Sequence, residues 1–185
     1  MKTFVWGLAV VAIQTTLALG ADQPPVTVAS ILDQQIKIAE GEVVPLAEAM
    51  PADKYDFAPT QGEFKSVRTF AQQMKHIAAT NYMFASGALA EKNPSEKGQG
   101  ENGPASIKTK EEIVKYLKDS FAYAHKAAAN LTPQNATDMV ASPFGDGKIA
   151  RMSLVSFVSW HTFDHYGQSV VYARMNGVVP PASRQ

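Results

Sequence analysis

His161, His165 and Gln168 fall on one helical stripe, and they are where this sequence could do chemistry. Residues four apart on a helix share a face, with Cβ atoms about 5–6 Å apart. At that separation two imidazoles can close on one ion at about 2.0–2.1 Å per bond. The competing reading is a hydrogen-bonded network without metal. A lone core histidine is ordinarily satisfied that way. Two histidines with a glutamine one turn on demand several partners, because each buried polar group needs one. A protein metal site also needs a third ligand. The candidates are His76, His125 and a carboxylate such as Asp164, and helical periodicity does not choose among them. His76 lies off the centre of its apolar stripe, beside Gln73 and Thr80, and His125 lies on the flank of its own, near Lys118.

Composition narrows the chemistry further. The chain has 185 residues, 17 Lys+Arg against 17 Asp+Glu, and no Cys. Disulfides, thiolate zinc sites, iron–sulfur clusters and cysteine nucleophiles are therefore excluded, and a metal must be held by His and carboxylates. A net charge of zero argues against a binder of nucleic-acid backbones. The length fits one domain with a substantial core. Residues 1–20 have the layout of a cleaved secretory signal peptide. Lys2 gives a positive start, an apolar run spans residues 4–13, and small residues lie at Ala18 and Gly20. The run is shorter than the ~20 residues of a membrane span. Cleavage near Gly20 would remove Lys2 and leave 16 bases against 17 acids. The expected product is soluble, without membrane attachment, and periplasmic or extracellular.

The elements that must position the histidines are helices. In the first, Leu32, Ile36, Ala39, Val43, Leu46 and Met50 step four-three-four-three-four along one stripe. Gly41 and Pro45 are expected to bend it, and Pro51 to end it. Residues 52–60 read as a loop anchored by Tyr55 and Phe57. A second helix is expected over 63–90, with Val67, Phe70, Met74, Ile77 and Phe84 inward. Residues 91–108, almost without apolar side chains, read as a solvent-exposed loop. Thr109 caps a third helix and Glu112 completes a capping box. Its stripe is Ile113, Leu117, Phe121, Ala124, Ala128 and Leu131, and Pro133 follows its end. Residues 137–150, with Pro143, Gly145 and Gly147, read as an irregular connection without strands.

The fourth helix, over 153–175, carries Leu154, Val158, His161, His165, Gln168, Tyr172 and Met175 in an unbroken heptad seam. Such a seam faces a bundle core. Asn176-Gly177 ends the helix and Pro180-Pro181 follows. The fold expected over residues 27–181 is an all-α four-helix bundle.

Three stretches carry a family resemblance: RTFAQQMKHIA at 68–78, WHTFDHYGQ at 160–168 and YARMNGVVPP at 172–181. With the loop at 55–59, they make the chain resemble the DinB-like superfamily, bacterial four-helix bundles that carry a divalent metal on three histidines. The resemblance implies metal ligands His76, His161 and His165, with His125 left on a flank. It implies an acidic residue, here Asp164, before the last ligand. Three histidines leave a fourth position open, the pattern of catalytic zinc. Zinc or nickel is the expected ion, and iron or manganese also accept imidazole. Characterised members of the superfamily are thiol-dependent S-transferases and a few isomerases or hydrolases. The implied function is a metal-dependent transferase or hydrolase acting on a small molecule. Gln168 would then support a metal ligand or hydrogen-bond the substrate, and Tyr172 or Tyr166 would serve as proton donor. Export counts against the thiol version, because the thiols involved are mainly cytosolic. The alternative is a non-catalytic metal- or small-molecule-binding bundle of the bacterial cell envelope. The sequence leaves a homodimer open.

Overall fold

Three of the four helices begin where a Thr and the residue three positions on satisfy each other's backbone. In the computed structural model, which describes residues 25–95 and 100–184, α1 spans Val28–Ala49 behind a Thr27/Ser30 box. Helix α2 spans Phe70–Leu89 behind Thr69/Gln72, and α3 spans Lys110–Ala129 behind Thr109/Glu112. Each box satisfies two of the N–H groups that a helix start leaves without partners. Helix α4, Arg151–Met175, has no side-chain cap. Its first N–H groups go instead to the carbonyls of Asp138 and Ala136. The expected signal segment, residues 1–20, lies outside the described residues.

The helices form a ring in which α2 packs on α3 and α4, and α1 packs on the same two, so α1 and α2 lie diagonally opposite. The 50–69 connection crosses one end of the bundle. It is pinned by Tyr55, whose hydroxyl donates to the Ala47 carbonyl at 2.7 Å. The Tyr55 and Phe57 carbonyls accept from Ala71 and Phe70, which completes the first turn of α2. The expected stripes of the first and third helices are buried at every position. Helix α1 runs through Gly41 and Pro45 without a break. Pro45 lies in the last turns, where its missing N–H removes only the bond to the Gly41 carbonyl.

Four expectations need correction. The second helix starts at Phe70, not at 63, because the Thr69/Gln72 box stops it there and Ser66 adopts a left-handed φ of 67°. Val67 is left half-buried in the turn before the helix. Strands β1 (Met139–Ala141) and β2 (Lys148–Ala150) pair antiparallel within the stretch expected to be irregular. Their length of three residues each is too short for alternation to be visible.

The third correction concerns the 91–108 segment. It is not simply exposed, because a short turn, Gly100–Asn102, seats against α2. Gly103, at φ 66°, follows it where a Cβ would come 3.1 Å from the Tyr116 ring and 3.3 Å from the Lys75 carbonyl. The fourth is that Met175 is 53% exposed, although the heptad puts it in the core. A strict heptad drifts about 20° per repeat on a straight helix, so Met175 has swung about 60° from Leu154. Ala173 and Ser169 are buried in its stead. The buried face of α4 is displaced toward small residues, Ser159 and Thr162 included, and this leaves His161 and Gln168 at its rim.

Candidate metal centre

Helix α4 presents His161 and His165 one turn apart toward α2, which presents Gln73 and His76 one turn apart. His76, His161 and His165 each place one ring nitrogen so that the three nitrogens lie within 4.8 Å of one another. The Nε2 atoms of His76 and His161 are 3.1 Å apart. His76 and His165 are buried and His161 half-buried. His76 is off its apolar stripe yet buried because α2 is covered nearly all round, by α3, α4 and the Gly100–Asn102 turn.

The polarity of the site follows from what holds the rings. His76 Nδ1 is 2.7 Å from the Glu101 main-chain carbonyl, which can only accept, so Nδ1 carries the proton and Nε2 keeps its lone pair. His165 Nδ1 is 2.7 Å from Gln73 Oε1, and Gln73 Nε2 donates to Gln168 Oε1 at 2.9 Å. This is the arrangement of metal-binding histidines, whose second ring nitrogen is fixed by a carbonyl or amide. Burial, opposed in part by the Glu101 carbonyl, holds His76 below the ordinary histidine range. Burial, and then repulsion between the rings, brings His161 and His165 down to about 4. All three rings are therefore neutral at pH 7, the form in which imidazole binds metal. Three neutral donors, two of them with anchored tautomers, converge closely enough to fit a divalent ion.

The comparisons with known proteins agree with the geometry. The family model described as the DinB superfamily matches residues 35–169. The chain belongs to that superfamily. Two solved structures share the fold. A DinB-like protein from Bacillus subtilis is 18% identical with a TM-score of 0.61, covering 80% of this chain and 92% of that one. One from Bacillus cereus is 15% identical with a TM-score of 0.63, covering 81% and 93%. No curated protein matches.

The remaining candidates of this DinB-superfamily chain sit as follows. Gln168 is exposed and joined to His165 through Gln73. Asp164 is solvent-facing, with Oδ2 3.9 Å from His165 Nε2. Tyr172 is buried, and its hydroxyl donates to the Arg68 carbonyl at 3.2 Å, so it positions the start of α2. The Tyr166 hydroxyl donates to Glu42 on α1 at 2.8 Å. Burial and the Glu42 carboxylate push that phenol up to about 12.

His125 stands between two acids of α1, with Nδ1 2.6 Å from Asp33 and Nε2 3.1 Å from Glu40. The acids face opposite ring nitrogens, so the three groups do not converge on one point. Burial raises the Asp33 carboxyl, but Lys37 and His125 outweigh it and leave the group below its ordinary value.

Two partners of the site were not legible as such. Gln73 could have been found from its place three residues before His76, on the same face. The Glu101 carbonyl could not, because a main-chain acceptor leaves no side-chain signal.

Proposed function

We propose that this protein holds one divalent ion on His76, His161 and His165 and acts with it on a small molecule, in a transfer or hydrolysis reaction. The reading is carried by the convergence of three neutral imidazoles that no fourth His or carboxylate joins among the described residues. A site with three protein ligands and a free position is the catalytic pattern, whereas structural sites are closed by a fourth. When bound, the ion supplies a Lewis acid that polarises a substrate and eases its deprotonation. The chain's own residues do the rest. The Glu101 carbonyl and Gln73 fix the ring tautomers, and Gln168 extends that network toward solvent. Any thiol involved comes from a substrate, since the chain has no Cys. Zinc or nickel suits the all-nitrogen donor set, with iron or manganese as weaker alternatives.

The experiment is a turnover screen of the zinc- and nickel-loaded protein. The screen pairs simple thiols with electrophilic acceptors and includes activated esters and amides. Turnover that stops on chelation and is missing from His161→Ala supports the enzyme. Stoichiometric metal with no turnover in any class would favour the second reading, a non-catalytic metal- or small-molecule-binding bundle of the cell envelope. Export rests on the layout of residues 1–20 alone, and N-terminal sequencing of envelope-fraction protein tests it. A start near Ala21 supports export, and an intact Met1 contradicts it.

A further inference from the structure

Beside the histidines lies a polar cleft of about 430 Å³, lined by Ser66, Arg68, Gln72, Gln73, Asn102 and Gln168. Its hydrogen-bonding character can be worked out atom by atom. The Gln72 oxygen is taken by the Thr69 main-chain N–H at 2.8 Å. The Asn102 oxygen is taken by Arg68 Nε at 3.3 Å. The Gln168 oxygen is taken by Gln73, whose own oxygen faces His165. Each of these partners fixes which end of the amide faces it, so Gln72 and Asn102 keep their NH2 groups for a ligand, while the Gln168 NH2 faces Asp164 at 3.5 Å. The Arg68 guanidinium adds further donors. Its neighbouring carboxylate, Glu101, is 3.6 Å away, beyond the ~2.7–2.9 Å of a charge-assisted hydrogen bond. Ser66 holds a left-handed φ of 67° at the rim, a strained conformation for a residue with a Cβ and one that clusters at ligand clamps. The Tyr172 hydroxyl holds the Arg68 main chain in place.

We infer that this cleft takes the carboxylate of a small organic substrate, with Arg68 pairing to it and the Gln72 and Asn102 amides donating. The inference deepens the function proposed above and rests on it for the word substrate. Arg68 is the only charged residue of the lining, and Glu101 and Asp164 stand outside it, so the cleft offers at most one positive charge, which suits a carboxylate rather than a phosphate dianion. Gln73 is the shared wall of the two sites. It holds His165 with its oxygen and Gln168 with its nitrogen, so a molecule anchored in the cleft lies beside the histidines.

The test is an NMR titration of the metal-free, isotope-labelled protein at low ionic strength, where a single ion pair is least screened. The probes are butyrate, its neutral amide butyramide, and inorganic phosphate. Butyrate should give saturable shifts in the Arg68 Nε–H and in the side-chain amides of Gln72 and Asn102. Butyramide and phosphate should bind at least tenfold more weakly. R68Q should weaken butyrate at least tenfold, Q168E should do the same by placing a like charge in the cleft, and K115Q should change nothing. Equal binding of butyramide, tighter binding of phosphate, or no loss in both R68Q and Q168E would overturn the inference. Zinc stoichiometry, measured separately, keeps the two ideas apart. Zinc bound without butyrate binding sinks only the anion cleft, and butyrate bound without zinc sinks only the metal site.

Discussion

Acidification should destabilise the metal-free protein through its three clustered histidines, and the size of the effect can be worked out for two of them. An unfolded chain takes up a proton on each imidazole near pH 6.5. In the folded protein His161 and His165 are held at about 4, first by burial and then by repulsion between the clustered rings. Between these values the unfolded state binds more protons, so stability is full above pH 6.5 and is lost as pH falls toward 4. At ~1.36 kcal/mol per tenfold, one ring loses roughly 2–3 kcal/mol by pH 4.5. His76 contributes repulsion to both rings and solvent screens the half-buried His161, so the two together lose about 3–4 kcal/mol. That is a large share of the ~5–15 kcal/mol that stabilises a typical domain. The lowered Asp33 carboxyl does not interfere, because its contribution is lost only below its ordinary value of 3.8. The assay is urea unfolding followed by circular dichroism at pH 4.5, 5.5, 6.5 and 7.5, on the wild type and on a His161→Leu/His165→Leu double variant. The double variant should flatten the profile by about 3 kcal/mol. If both proteins lose the same stability on acidification, the clustered rings are not the cause and the reasoning fails.

Four further outcomes are expected. Leu154→Ala should destabilise by about 2–5 kcal/mol because the side chain is fully buried, whereas Met175→Ala should stay within about 0.5 kcal/mol; thermal melts compare them. Gly103→Ala should lower stability by at least about 1–2 kcal/mol from its left-handed φ, with crowding against Tyr116 in addition. Gly41→Ala, in open space inside α1, should raise it by roughly 0.5–1 kcal/mol in the same melts. Gln73→Leu should weaken metal affinity about 10–100-fold, read by competition with a chelating dye, because His165 loses its anchor while all three ligands remain.

The parts of the fold legible in the sequence were those in which apolar residues face one way. The stripes of α1 and α3 predict burial at every position, and Thr109 with Glu112 marks a helix start that the structure keeps. Helix α4 is harder because its core face includes Ser159, Thr162 and Ser169, which carry no hydrophobic signal, while the heptad drifts away from them. The start of α2 was written in Thr69 and Gln72, yet apolar periodicity around Val67 pulls the expected boundary seven residues too early. Spacing alone pairs His161 with His165. It cannot choose His76 over His125, because that depends on which helix packs on α4 and on the turn that covers the outer side of α2. That turn contributes a carbonyl and two positive-φ glycines, Gly100 and Gly103, and its role in holding His76 is a tertiary fact.

The most direct measurement is the metal content of untagged protein after loading and exhaustive dialysis, read by elemental analysis across four single variants. The account predicts about one divalent ion per chain in the wild type, none in His161→Ala or His165→Ala, and little in His76→Ala. His125→Ala should keep full content, since that ring is engaged with Asp33 and Glu40 and takes no part in the cluster. A wild type that retains no ion, or a His125→Ala variant that loses it while His76→Ala keeps it, would contradict the account.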